Sequence, residues 1–261
     1  MKKHSRLDYT YAVGRVRVLE RYLVQRAVFE EAAGEKEYAS ALKIIFDTGK
    51  FSEDMGEIHN SDELDDFLER EDDSLLHVLA ELFLEMDILE IVLTLNRPER
   101  ALEMCRGIRY PFIKDYIRHT IDLANLKFLC RLKYSEAPGE KFERVSLKGG
   151  FLDEKILIEN FDLEFSEIGE KFRYSPYHQL WDKAVDALQV EETFIRLERG
   201  IEDFLMTYLK RAKYIVFGPE PIFAYALARR RELSLVRLVG VGKLNQIPVE
   251  ILRERISETY V

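Results

Sequence analysis

Apolar positions recur every three or four residues along most of this chain, the spacing that gathers them on one face of a helix. Tyr11 to Glu31 is the first such run, with Val13, Val16, Leu19, Tyr22, Leu23, Val24 and Ala27 in phase, and it predicts one helix. Tyr38 to Phe46 predicts a second. Ser61, followed by Asp62 and Glu63, has the chemistry of an N-cap with carboxylates in the first turn of a third helix. Ser74 is placed to cap a fourth over Leu75 to Leu95, stopped near Arg97-Pro98. Pro98 suits the first turn of a further helix, and Phe112 to Leu132 predicts the next. Tyr134 to Gly150 holds Pro138-Gly139 and Gly149-Gly150 and reads as the main loop. Short helices are expected at Asp153–Asn160, Phe165–Phe172 and Pro176–Leu188. Glu191 to Tyr214 is the clearest amphipathic run, with Phe194, Leu197, Ile201, Phe204, Leu205 and Tyr208 on one face. Phe217-Gly218-Pro219-Glu220-Pro221 interrupts the pattern, and Ile222–Val239 and Pro248–Ser257 close it.

Composition narrows this to an all-α globular chain. Of 261 residues, 47% are hydrophobic and 33% charged, which fits one large or two small soluble domains. Only 13 Gly and 7 Pro are present, too few for the many turns of an all-β fold. The most apolar stretch, Leu75 to Leu95, carries His77, Glu81, Glu85, Asp87 and Glu90, so it reads as a core helix and not a membrane span. The N-terminus is basic but has no apolar core of a signal peptide. Cys105 and Cys130 form no CxxC or metal-finger pattern and are expected as buried thiols, compatible with a reducing cytosol.

The charge is uneven. The net charge of −9 argues against general nucleic-acid binding, which needs a basic surface. Eleven acidic residues and one arginine lie between Glu53 and Asp73, whereas Lys210 to Val261 has ten basic and five acidic residues. Such a field suits docking to charged partners. The acidic segment reads as a solvated helix and loop, with a metal site or docking face as the alternative; it lacks the ordered ligand spacing and glycine of a calcium loop. Arg229-Arg230-Arg231 is the densest basic run, either a solvated face or a contact for an acidic partner or phosphate.

A repeat is visible at an offset of 110. Asp122-Leu-Ala-Asn125-Leu-Lys127 aligns with Glu232-Leu-Ser-Leu235-Val-Arg237, Pro111 with Pro221, and Lys133 with Lys243. Phe46 to Phe51 matches Phe172 to Tyr177 more weakly at an offset of 126. This suggests a duplicated helical unit, and the chain divides on that reading into a first unit over 1–145 and a second over 146–261. The acid and base five apart in each copy do not share a helix face, so each is expected to pair with another helix, or with Arg15 or Arg17. No phosphate loop, dinucleotide fingerprint, HExxH, GxSxG or kinase signature is present. The five histidines are scattered, with no pair at helical spacing.

The C-terminal blocks give a more specific indication. Leu197-Glu198, Ile201-Glu202-Asp203, Phe217 to Arg229, Glu232 to Arg237, Gly242-Lys243 to Pro248, and Ile251 to Arg253 together resemble the C subunit of V/A-type rotary ATPases, a family that includes the d subunit of eukaryotic V-ATPases. Tyr9 to Arg17 and the Asp122–Lys127 block followed by Gly149-Gly150 resemble the same family, in the same order. The resemblance implies an all-α, funnel-like or splayed array of pseudo-repeated helical domains, seated on the cytoplasmic face of the membrane proteolipid ring. It implies a non-catalytic central-stalk role in proton or sodium transport coupled to ATP hydrolysis or synthesis. Its partners would be the central shaft subunits and the rotor ring, with one copy per complex, no cofactor, no nucleic acid and no transmembrane segment. Members are longer and carry three repeats, where two are found here. Arg229, Arg230 and Arg231 replace the family's usual acids, and Leu235 its usual Asn. On this reading Arg15, Arg17, Asp122, Asn125, Lys127, Glu232, Arg237 and Lys243 are expected to form a polar framework, and Arg229, Arg230 and Arg231 to contact a partner. The alternatives are an all-α adaptor that kept the fold outside the ATPase, and an enzyme with an unrecognised helical site.

Overall fold

The computed structural model describes residues 4–51 and 58–261, and all regular structure among them is helical. In chain order the α-helices are α1 Thr10–Leu19, α2 Arg26–Gly34, α3 Tyr38–Phe46, α4 Ser61–Leu82, α5 Met86–Thr94, α6 Pro98–Met104, α7 Pro111–Tyr134, α8 Gly139–Val145, α9 Glu154–Glu159, α10 Phe165–Lys171, α11 His178–Glu191, α12 Ile195–Lys210, α13 Glu220–Leu244 and α14 Val249–Arg255. Of the acidic segment, Glu53, Asp54 and Glu57 lie outside the described residues.

Two compact units form, and they do not follow a consecutive division at 145/146. One joins Met1–Val92 to Met206–Val261; the other is Leu93–Leu205. The terminal segments combine because α13 buries most of its residues and needs neighbours on several sides. It finds them in α2, α3 and α4: Leu235, Val236 and Val239 pack with Phe29, Ala33, Ile45, Leu64 and Phe67 in one fully buried cluster. In the second unit α7 has the same part. Leu123, Leu126 and Leu129 pack with Phe142, Leu157, Ile168 and Trp181 from the elements that follow it.

The two long helices are built alike. Each has proline in its first turn, Pro111 and Pro221. Each ends in a left-handed residue, Glu136 and Gln246, both with φ 53°. There the Ala137 N–H donates to Leu132 O and the Ile247 N–H to Gly242 O, both at 2.9 Å, the closing bond of a Schellman cap. Pro138 and Pro248 then lead into seven-residue helices, α8 and α14, each burying one central residue, Phe142 and Leu252. The offset of 110 therefore holds through cap, turn and following helix.

Several boundaries differ from the sequence expectation. The run Tyr11–Glu31 is two helices, because Leu23 and Val24 leave helical geometry and the Val24 N–H is taken by Glu232 instead. Asn60, not Ser61, caps α4, its Oδ1 accepting the Glu63 N–H at 2.9 Å. Ser74 sits inside α4, which runs unbroken to Leu82, and the break falls at Phe83. The stretch Tyr134–Gly150 contains α8, since Pro138 opens a helix there instead of ending one. Glu192, at φ 52°, separates α11 from α12 within the long amphipathic run.

Candidate functional site

In each compact unit a carboxylate in the middle of the long helix is buried, and part of the expected polar framework lies beside it. In the first unit this is Glu232, 1% exposed. One oxygen accepts the Val24 N–H; the other accepts Arg229 Nη1 at 3.0 Å. Arg229 also reaches Glu71 Oε2 at 2.8 Å and Lys50 O at 3.2 Å, and its guanidinium lies 4.4 Å from the centre of the Phe51 ring. Lys50 Nζ in turn donates to Leu23 O, so both sides of the α1–α2 break are held. Burial drives the Glu232 carboxyl up from 4.5 to about 7, against the pull of Arg229.

In the second unit the carboxylate is Asp122, fully buried. It accepts the Phe151 N–H at 2.9 Å, the Leu152 N–H at 3.1 Å and the Tyr177 hydroxyl at 2.7 Å. Tyr177 has one hydrogen and gives it to Asp122, so the 2.6 Å contact with His119 Nδ1 makes that nitrogen the donor. Burial raises the Asp122 carboxyl, and Tyr177 and the two amides oppose it. Three residues on, Asn125 locks Leu147: its Nδ2 donates to Leu147 O at 2.8 Å and its Oδ1 accepts the Leu147 N–H at 2.7 Å.

The same logic repeats one turn before each cap. Lys133 Nζ donates to Phe161 O at 3.0 Å, and Lys243 Nζ to Ala33 O at 2.6 Å. Burial lowers the Lys243 ammonium. Each lysine satisfies the carbonyl of a residue at or near the end of a short helix, where carbonyls otherwise have no partner.

The other expected framework residues lie apart from these clusters. Arg17 binds Glu20 through Nη1 at 2.7 Å, while its Nη2 gathers the carbonyls of Ala212, Lys213 and Ile215 at 2.8, 3.1 and 2.9 Å. Arg15 pairs with Glu81 at 2.6 Å on the surface. Lys127 pairs with Glu198 at 3.0 Å, and Arg237 with Asp65 at 2.8 Å. Neither Asp122 nor Glu232 pairs with Arg15 or Arg17.

The arginine run differs from the expectation of exposed contacts. Arg229 is buried and held by its three acceptors. Arg230 grips Asp72 with two bonds, 2.8 and 3.0 Å, and reaches Val92 O at 3.3 Å. Arg231 Nε donates to Ser257 Oγ at 2.8 Å. The reason lies in α4. Asp65 faces Arg237 and Asp72 faces Arg230, seven residues apart on each helix in opposite chain directions. Two antiparallel helices thus match an acidic stripe to a basic one, so part of the acidic segment is neutralised inside the unit.

Sequence reasoning missed Lys50, Glu71, Lys133 and Tyr177 as framework residues. The signals were present: Lys133 pairs with Lys243 in the repeat, and the weaker match at 126 ends on Phe51 and Tyr177, the two aromatic rings beside the buried clusters. Among the described residues, no group of three or more His, Cys, Asp or Glu is placed to hold a metal ion, and no helix is long and apolar enough to cross a membrane.

The sequence profile of the ATP synthase (C/AC39) subunit family matches residues 44–255. The chain is 24% identical over 151 residues to the C subunit of the V-type sodium ATPase of Enterococcus hirae, covering 58% of this chain and 45% of that protein. It is 25% identical over 144 residues to the C subunit of the A-type ATP synthase of Archaeoglobus fulgidus, covering 54% and 40%. A third relative, the C subunit of the A-type ATP synthase of Haloferax volcanii, is 24% identical over 131 residues, covering 50% and 37%. The chain thus spans less than half the length of the curated relatives it matches. The profile, by contrast, takes in both long helices with Asp122 and Glu232, and on that match the chain belongs to the ATP synthase (C/AC39) subunit family.

Proposed function

We propose that this chain is a non-catalytic central-stalk coupling subunit of a V/A-type rotary ATPase, joining the rotor shaft to the membrane proteolipid ring during proton or sodium transport. The observation that carries this reading is the family match over residues 44–255. On this reading it lies peripherally on the cytoplasmic face, one copy per complex, and works by shape and charge. A mechanical joint must resist shear, so its parts must be stiff and its interfaces large and complementary in charge. The buried clusters around Glu232 and Asp122 support such stiffness, because a fully satisfied polar network fixes one arrangement of the helices it joins. The same stiffness would serve an all-α adaptor outside the ATPase, and the short coverage of its relatives keeps that second reading in view.

The test is an affinity tag on this chain, purification from native membranes in mild detergent, and mass spectrometry of what co-elutes. Nucleotide-binding subunits, shaft subunits and proteolipid are expected together. The chain alone, or with unrelated soluble proteins, would overturn the coupling role and favour the adaptor.

A further inference from the structure

We infer that the cleft between α6, the start of α7 and the Lys148–Gly150 segment is a docking site for an acidic segment of a protein partner. The inference rests on the proposed role as an assembly subunit, and it deepens that role by naming a surface.

The cleft has a volume of about 890 Å³ and lies entirely within the Leu93–Leu205 unit. Arg100, Arg106, Lys114, Arg118 and Lys148 line it, with Glu99 and Glu103. The net charge of these side chains is positive in a chain whose net charge is −9. Arg118 is committed, since it donates to Gly150 O at 2.9 Å and lies 3.9 Å over the Phe151 ring. Glu99 is committed too, accepting the Lys148 N–H at 2.7 Å. Arg100, Arg106, Lys114 and Lys148 are exposed, and among the described residues no carboxylate pairs with any of them. This contrasts with the arginines of α13, where Arg229, Arg230 and Arg237 have each found an acid.

The wall of the cleft is fixed. Gly149 has φ +95°, a conformation other residues avoid, and a Cβ there would lie 2.6 Å from Leu102. Gly150 is pinned through its carbonyl by Arg118, and the next two amides are pinned by Asp122. A preformed groove of unpaired cations selects a negatively charged occupant and speeds its arrival. Glu103 among the cations disfavours a compact oligophosphate, whose dense charge it would repel. An extended peptide can space its carboxylates between Arg100, Arg106, Lys114 and Lys148 and leave Glu103 at the rim.

The test uses the full chain and a short fluorescein-labelled oligo-glutamate peptide, followed by fluorescence anisotropy at low and moderate salt. Binding is expected to weaken about tenfold in the double variant Lys114→Glu/Lys148→Glu, the loss of two rim charge contacts and their reversal. Exposed Lys171, outside the cleft, is the control, and Lys171→Glu should leave binding within about twofold. Thermal melts confirm that the variants fold. Equal weakening by Lys171→Glu, or no binding at low salt, would overturn the cleft. So would tighter binding of pyrophosphate or ATP that the double variant abolishes, since that makes it a phosphate site. Peptide binding without ATPase subunits in the tagged purification sinks the coupling role and spares the cleft. The reverse result spares the coupling role and sinks the cleft.

Discussion

Asp122 and Glu232 stand 110 residues apart at the same turn of two matching helices, and each is a buried carboxylate that accepts from the backbone of a non-helical segment, Asp122 two N–H groups and Glu232 one. Each ties a non-helical stretch of chain to a long helix. Asp122 holds the segment that follows its helix; Glu232, near the C-terminus, holds one from the N-terminal part. This explains why the first compact unit is discontinuous in sequence and the second is not.

The Glu232 carboxyl makes stability depend on pH. Its folded-state value of about 7 lies above the ordinary 4.5, so the native chain binds this proton more tightly than the unfolded chain does. The contribution is complete below about pH 4.5 and is lost as the pH rises through about 7. Asp122 is shifted in the same direction. Melting temperature should therefore fall between those limits in the wild type and fall less in Glu232→Gln. Parallel profiles for the two proteins would remove Glu232 as the cause.

Arg229 and Arg230 should differ sharply although they are neighbours. Arg229→Ala leaves Glu232 and Glu71 without their shared cation and should cost about 3–5 kcal/mol. The Arg230–Asp72 pair is about one-third exposed, and a double-mutant cycle with alanine should give a coupling of only about 0.5–1 kcal/mol. Chemical denaturation of the wild type, Arg229→Ala and the three variants of the cycle reads both numbers. A cost for Arg229→Ala no greater than for Arg230→Ala would contradict the buried cluster.

Two glycines offer opposite outcomes. A Cβ on Gly150 would overlap Asp122 Oδ1, on a carboxylate that three hydrogen bonds hold in place, so Gly150→Ala should destabilise by about 1–3 kcal/mol. Gly14 lies inside α1 with nothing near its missing side chain, so Gly14→Ala should stabilise by about 0.5–1 kcal/mol. Urea titration of both variants tests the close approach at Asp122.

The two cysteines should be inert in the folded chain. Burial pushes Cys105 up to about 11 and Cys130 up to about 12, leaving almost no thiolate near neutrality. Iodoacetamide should label neither thiol in buffer and both in denaturant, read by intact mass. Fast labelling of the native protein would show that one of these sites opens.

Local pattern carried the helices. Their periodicity depends on near neighbours only, so α3, α6, α7 and α9 to α11 lie close to where spacing, caps and prolines place them. The offset of 110 was legible as well, because matching chemistry at Pro111/Pro221, Asp122/Glu232 and Lys133/Lys243 survives at fixed spacing along each helix. What only the tertiary structure decided is where partners distant in sequence meet. The break after Tyr22 depends on a carboxylate 208 residues away taking the Val24 N–H, and no local rule contains it. The arginine run looks like a solvated or contact face in sequence, yet α4 brings its acids against it, so Arg229 and Arg230 are paired within the unit. Among the described residues, no carboxylate pairs with Arg100, Arg106, Lys114 or Lys148. Spatial pairing, which sequence spacing does not encode, separates the two.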